Sequence, residues 1–209
     1  MCGRYQFSAT DENVIAEINK ILTIINEKYN DTQIHIDEIM PTNIAPVIKD
    51  ENGTADYVIM SWGFRRNDGN LLINSRSERK LYAENYKTCR CVIPASGFYE
   101  YSSNNKNPKL PKNKYLFKYP DSPMIYMAGI YMPVETENGR QERFVLLTRN
   151  ANEYIQDIHS RMPVMLYKDE ISAWINDDKF AIQAAERDSV VLVKRLIERQ
   201  KGVEQIRLF

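Results

Sequence analysis

The chain has 209 residues, enough for one domain with a substantial core. Its 28 Lys and Arg balance its 28 Asp and Glu, so the molecule as a whole does not attract polyanions and any nucleic-acid contact must come from a local basic cluster. Hydrophobic residues make up 43% without an apolar run long enough to span a bilayer, no basic-then-apolar leader opens the chain, and three cysteines, an odd number, argue for a reducing compartment rather than a disulfide framework.

The chain opens Met1-Cys2-Gly3-Arg4. Removal of Met1, which the small second residue favours, would make Cys2 the amino terminus and place an α-amine and a thiol on adjacent carbons. The α-amine has a pKa near ~8 and is partly neutral at pH 7. With one aldehyde the amine forms an imine and the thiol closes on it as a five-membered thiazolidine, which no internal cysteine can do. Taken alone, Cys2 is a weak motif; its weight comes from the motifs downstream in the chain.

Thr10-Asp11-Glu12 reads as a helix start, with the Thr10 hydroxyl as cap and two acids after it, and Val14, Ile15, Ile18, Leu22 and Ile25 come next at helical spacing, so a helix is expected over residues 11–29. Asn30 to Ile39 is polar and carries His35. Met40 to Pro46 reads as a loop with two prolines. Val47 to Met60 reads as a hairpin turning at Asn52-Gly53. Trp62 reads as core before it reads as a base-stacking platform. Arg65, Arg66, Arg76, Arg79 and Lys80 form the densest basic region. Leu71 to Ile73 reads as a short strand, and Ser77 as the cap of a helix over 78–86. Cys91 belongs to a buried strand, and Cys89 and Cys91 lack the further ligands a metal needs. Pro94 to Gly97 reads as a turn. In the strand Phe98-Tyr99-Glu100-Tyr101 one acid stands among three aromatics: burial would make it a proton donor or acceptor near pH 7, and exposure an ordinary edge-strand Glu. Residues 102–113 read as an exposed loop, 114–119, 124–131 and 142–148 as strands, 133–141 as a loop, and 151–158 as a short helix delivering His159. Two helices, Asp169 to Asn176 and Asp177 to Glu186, turn Trp174, Ile175 and Phe180 inward, and Val190 to Val193 reads as a last strand.

Several short motifs stand in a fixed order: Met-Cys-Gly-Arg-Tyr at the start, Asn43-Ile44-Ala45-Pro46, Trp62-Gly63, Ile73-Asn74-Ser75-Arg76-Ser77-Glu78, Arg90-Cys91-Val92-Ile93-Pro94-Ala95, Gly97-Phe98-Tyr99-Glu100-Tyr101 and His159-Ser160-Arg161-Met162-Pro163. Together, from residue 1 to about 165, they resemble the SOS-response-associated peptidase (SRAP) family, also described as abasic-site processing proteins. The resemblance implies a single α+β domain over residues 1–209, with a central, mostly antiparallel, barrel-like sheet and peripheral helices. It also implies a covalent bond between Cys2 and the open-chain aldehyde of abasic sites in single-stranded DNA. Carried over by position, Cys2 is the nucleophile, Glu100 shuttles protons, His159 is a second proton-transfer group at the sugar, and Asn74 holds Cys2 or the sugar. Arg76 and Arg161 clamp flanking phosphates, Arg4 and Thr148 add DNA-backbone contacts, and Pro46 is a wedge between bases beside the lesion. The resemblance implies no metal and no organic cofactor. It implies a cytoplasmic monomer that is nucleoid-associated when bound, meets no membrane and works in the damage response, where replication-associated partners would be met. Tyr101 departs from the family's usual Trp, and the loop after Trp62-Gly63 is short. The competing readings are an N-terminal-cysteine peptidase, acting on Met1 or on other proteins, and a non-covalent single-stranded DNA-binding domain. A lyase side reaction by β-elimination is compatible with the covalent reading.

Overall fold

The computed structural model describes residues 2–29, 34–66, 68–80, 89–102, 112–137, 139–187 and 190–198. In chain order these form β1 (Arg4–Phe7), α1 (Glu12–Tyr29), β2 (Asp37–Ile39), β3 (Ile44–Glu51), β4 (Thr54–Trp62), β5 (Phe64–Arg65), β6 (Leu71–Leu72), β7 (Asn74–Arg76) and α2 (Ser77–Lys80). Next come β8 (Arg90–Ala95), β9 (Gly97–Tyr101), β10 (Lys114–Lys118), β11 (Ile125–Thr136), β12 (Gly139–Asn150), β13 (Arg161–Pro163) and β14 (Met165–Leu166). A 3₁₀ turn at Lys168–Glu170, α3 (Ile171–Asn176), α4 (Asp178–Glu186) and β15 (Val193–Glu198) complete the order.

Five strands close a barrel. β12, β4, β3, β8 and β11 pair in that order, and β11 pairs back onto β12. Every pairing in the ring is antiparallel except β12 with β4, where Arg143 lies beside Ser61 and Phe144 beside Trp62. All six residues of β8 are buried, as a strand with one face in a barrel and the other under helices must be. Trp62 fills the interior. Its ring stacks on Phe144 with centroids 6.2 Å apart and tilts against Tyr5 at 5.3 Å, and its indole N–H donates to the Ile73 carbonyl at 2.9 Å. Trp62 is therefore core.

A second antiparallel sheet, in the order β15-β10-β9-β1-β2, carries the amino terminus to the barrel. The chain steps from the barrel into this sheet at Ser96, between β8 and β9. The Ser96 amide donates to the Gln6 carbonyl at 2.8 Å and its hydroxyl to the Ser8 carbonyl at 2.6 Å, pinning the end of β1 to the step. Position 97 is Gly because a Cβ there would stand 2.7 Å from Leu116 Cδ1 and 2.9 Å from the Phe117 carbonyl oxygen. On the far side of β8, the Trp174 indole donates to the Cys91 carbonyl at 3.0 Å, docking α3 on the barrel.

Several local expectations are corrected. Asp11, not Thr10, caps α1: its carboxylate accepts from the amides of Asn13 at 2.9 Å and Val14 at 3.3 Å. The α1 stripe buries Val14, Ile18, Ile21 and Ile25, leaving Ile15 exposed. The hairpin holds, with Asn52 and Gly53 both at positive φ, but β3 starts at Ile44, so Pro46 is a buried strand residue opposite Ile59 and not part of a loop. Residues 133–136 and 139–141 are strand where a loop is expected. β11 and β12 stay paired out to Thr136 and Gly139 as a polar arm beyond the barrel, held by the backbone ladder where no core marks the sequence. Residues 153–158 are a run of turns: the Asn152 carboxamide accepts from the Tyr154 amide at 3.2 Å and donates to the Val190 carbonyl at 2.8 Å, competing with a helix. The last strand begins at Val193, where the expected one ended, and pairs with β10. The helix begun at Ser77 is described to Lys80. The rest of that expected helix, most of the 102–113 loop and residues 199–209 lie outside the described residues.

Candidate active site

Candidate residues from distant parts of the chain gather around Cys2: Asn74 by a hydrogen bond, Glu100 by its charge, and His159 through the amino-terminal charge that it and Glu100 both feel. Cys2 is fully buried just before β1. β1 pairs antiparallel with β9, Arg4 beside Tyr99, and the same register carried one residue further sets Gly3 level with Glu100. Asn74, at the start of β7, donates its side-chain amide to the Cys2 carbonyl at 2.8 Å. β7 holds that position because it lies parallel to β12, Asn74 beside Leu146 and Arg76 beside Thr148. The Asn74 side-chain oxygen is buried and bonds no described residue. His159 stands at the end of the turns that lead into β13.

The electrostatics of the corner arise from burial. Glu100 is 3% exposed, and desolvation pushes its carboxyl up to about 7, against the positive charge of the chain's amino terminus and a hydrogen bond from the Tyr101 backbone, which pull it down. Burial, and then the nearby Glu100 charge, hold the Cys2 thiol well above its usual range, so Cys2 is a protonated thiol here, its Sγ 3.5 Å from the Arg4 carbonyl. Burial and then the same amino-terminal charge lower His159. His159 Nδ1 lies 2.9 Å from the Arg161 amide, which donates to an unprotonated Nδ1, and 3.1 Å from the Arg161 carbonyl, which accepts from a protonated one. The corner thus presents a neutral imidazole, a carboxyl poised near neutrality and a thiol, all close to the chain's amino group.

The expected DNA contacts fall into distinct settings. Arg76 is exposed on β7 and makes no ion pair with a described residue. The Arg161 guanidinium grips both carboxylate oxygens of Glu78, at 2.6 and 2.9 Å, and also donates to Asn150 Oδ1 and to the Thr148 carbonyl. Its Nε is buried and bonds no described residue, so one donor of the fork is left over. Thr148 is fully buried, its hydroxyl 3.3 Å from the Ser75 carbonyl. Arg4 pairs with Glu38 at 2.7 Å, and Lys114 pairs with the same carboxylate while lying over the Tyr99 ring. Pro46 is buried in the barrel wall and presents no edge to a ligand in this form of the chain.

Glu78 and Glu38 carry no signal of a role in the sequence. Glu78 closes the Asn74-to-Glu78 motif, but its partner Arg161 lies 83 residues away and no local spacing pairs them. Arg90 likewise opens a motif without a visible role. It is 4% exposed and donates to the carbonyls of Trp174 at 2.6 Å and Ile175 at 2.9 Å and to Asp178 at 2.7 Å, closing the carboxyl end of α3. Among the described residues no group of three or more His, Cys, Asp or Glu side chains is placed to hold a metal, and no helix is long and apolar enough to cross a membrane.

The chain is 27% identical over 187 residues to the abasic site processing protein YoqW of Bacillus subtilis, covering 84% of this chain and 80% of that protein. It is 25% identical over 199 residues to the abasic site processing protein YedK of Escherichia coli, covering 89% and 84%. A solved structure of a Bacteroides thetaiotaomicron protein shares the fold with a TM-score of 0.69 at 19% identity, covering 94% of this chain and 92% of that one. A Bordetella bronchiseptica protein does so with a TM-score of 0.66 at 17% identity, covering 95% and 100%. The profile of the SOS response associated peptidase family matches residues 1–199, the stretch that holds the barrel, the second sheet and every residue of the amino-terminal corner, and the chain belongs to that family.

Proposed function

We propose that this protein captures abasic sites in single-stranded DNA as a thiazolidine on Cys2, once Met1 has been removed, with residues 1–209 acting as one unit. The observation that carries the reading is the convergence of Cys2, Asn74, Glu100 and His159, up to 157 positions apart, on the chain's amino terminus. The names of the relatives agree with it.

The chemistry balances without a cofactor. The Cys2 amine adds to C1′ of the open-chain deoxyribose, and the carbinolamine loses one water to give an imine. The thiol then adds across the C=N bond: a C–S bond forms and the thiol proton passes to nitrogen. A carboxyl that titrates near neutrality serves both directions of proton traffic, so Glu100 protonates the leaving hydroxyl and takes a proton back. His159 serves as the second proton-transfer group, toward the sugar oxygen during ring opening. The unengaged Asn74 oxygen accepts from a sugar hydroxyl. Arg76 binds phosphate directly, and Arg161 does so when Glu78 releases it. Arg4 joins when Glu38 releases it, and Thr148 holds the strand that carries Arg76. A wedge role for Pro46 would require β3 to open. Single-stranded DNA is preferred because a duplex must be unstacked before the sugar reaches the corner, at a cost of a few kcal/mol. The protein works as a monomer in the cytoplasm, on the nucleoid when bound. An imine that escapes ring closure acidifies the adjacent carbon and allows β-elimination, a lyase side reaction.

The test is a denaturing gel with intact mass, on untagged protein and single-stranded DNA holding one abasic site. A shifted band of mass equal to Met-free protein plus DNA minus one water, absent in Cys2→Ala, is expected. Met-free protein that gives no band would overturn the reading and return the peptidase and plain-binding alternatives.

A further inference from the structure

We infer that the cavity between β12 and α4 is a subsite for one intact nucleobase of the DNA strand that carries the lesion. The inference rests on the proposed capture of abasic sites and extends it from the lesion to its neighbour. The cavity holds about 230 Å³, under the roughly 300–1,000 Å³ of pockets that take drug-sized ligands. That is room for a single planar ring system. Ile182 and Ala185 of α4 give its lining an apolar side, and Ser77, Glu78, Arg149, Asn150 and Glu186 give it a polar one, with Ser77 and Ala185 the buried members. An apolar side with a polar one matches a base, which has an apolar face and a hydrogen-bonding edge.

Its place in the fold argues for DNA over a free ligand. β7 leaves the nucleophile at Asn74, passes the exposed Arg76 and reaches the cavity wall at Ser77. Extended backbone rises about 3.3 Å per residue, so the wall lies about 10 Å from Asn74, within reach of a short stretch of single strand. Two lining residues, Glu78 and Asn150, are the side-chain partners of Arg161. The Glu78 charge is thereby already met, and the exposed Arg76, between Asn74 and the cavity wall, is the cation open to the phosphate of the seated nucleotide. The Asn150 oxygen is taken by Arg161, which leaves its amide NH₂ as the donor toward a base edge.

The test reads non-covalent binding, so that it stands apart from the crosslink. Cys2→Ala protein is titrated by fluorescence anisotropy with labelled single strands carrying a central tetrahydrofuran abasic analogue. In successive oligonucleotides a second tetrahydrofuran removes the base at each of three positions on either side. One position on one side is expected to weaken binding about tenfold, in the range of one stacked base, and the others by less than twofold. Adding Ile182→Trp, which fills the apolar side, is expected to abolish that dependence while leaving the doubly baseless strand bound as before. Ile182→Ser, which removes that apolar side chain without adding bulk, must also weaken the dependence, and guards against a misfolded tryptophan variant. Equal binding at all six positions, or a dependence that survives both substitutions, overturns the subsite. Loss of the covalent band in the wild-type gel, with the dependence intact, would overturn the crosslinking chemistry and leave the subsite standing.

Discussion

Arg90 and Glu100 stand on strands joined through Ser96 and are equally buried, at 4% and 3% exposure, yet folding treats them in opposite ways. Arg90 enters the interior with replacements for its hydration shell: two helix-end carbonyls and the Asp178 carboxylate. Its charge is matched by fixed dipoles, and its effect is to hold α3 against the barrel. Desolvation is the largest influence on Glu100, its carboxyl rises to about 7, and it sits beside a thiol and the chain's amino group. Burial alone therefore does not mark a functional residue. A buried charge that is compensated is architecture; one whose desolvation outweighs its compensation is a candidate for proton transfer, the role proposed for Glu100.

Substitutions at the two positions should break in opposite directions. Glu100→Gln removes the titrating group but keeps its shape. The crosslinking rate at pH 7 is expected to fall about 10²–10⁴-fold, and its pH dependence around neutrality to flatten, in a rate-against-pH series. Arg90→Met should leave the rate per folded molecule unchanged. It strands the Trp174 and Ile175 carbonyls and is expected to cost about 3 kcal/mol of stability, read from a denaturant melt.

The same carboxyl should make folding stability depend on pH with a definite sign. Its folded pKa lies above the ordinary carboxyl value, so the fold holds the proton more tightly than the unfolded chain does. Stability from Glu100 is complete below about pH 4.5 and is lost as pH rises through about 7. Glu100→Gln should therefore be more stable than wild type at pH 8, by up to about 3 kcal/mol, with the gain vanishing toward pH 4. An inactive but stabilised variant would separate the site from the scaffold; a destabilised one would place Glu100 with Arg90.

The smallest effect is expected where a carboxylate is compensated at the surface. Arg161 holds the Glu78 carboxyl below its usual range, a contribution present above the ordinary carboxyl pKa and lost as pH falls through the lowered one. Glu78 is 48% exposed, so this amounts to less than about 1 kcal/mol. Glu78→Gln should free the Arg161 fork for phosphate, tightening binding to undamaged single strands about 2- to 5-fold and steepening its salt dependence. Unchanged binding would show that Arg161 is occupied as a staple of β12 and α2 and does not meet DNA.

The sequence is legible wherever a signal is local. Asn52-Gly53 marks a turn because few residues accept positive φ, and the α1 stripe shows at helical spacing. The motif order from Met1 to Pro163 points to the family and its barrel. The polar arm of β11 and β12 reads as a loop because a ladder held by backbone hydrogen bonds leaves no hydrophobic alternation. The turns after Asn152 read as a helix because the competing bonds of that side chain end at Val190, far along the chain.

By itself the sequence determined the family, since many short motifs kept their order, and it singled out the proposed nucleophile, since only an amino-terminal cysteine can close a thiazolidine. The tertiary structure decided what each charged residue does. Whether Glu100 is a surface acid or a relay near neutrality depends on burial between sheets that the chain assembles from both ends. Whether Arg161 is free or gripped depends on a glutamate 83 residues away. Solvation and pairing are properties of the assembled surroundings, and no residue carries them in its own side chain.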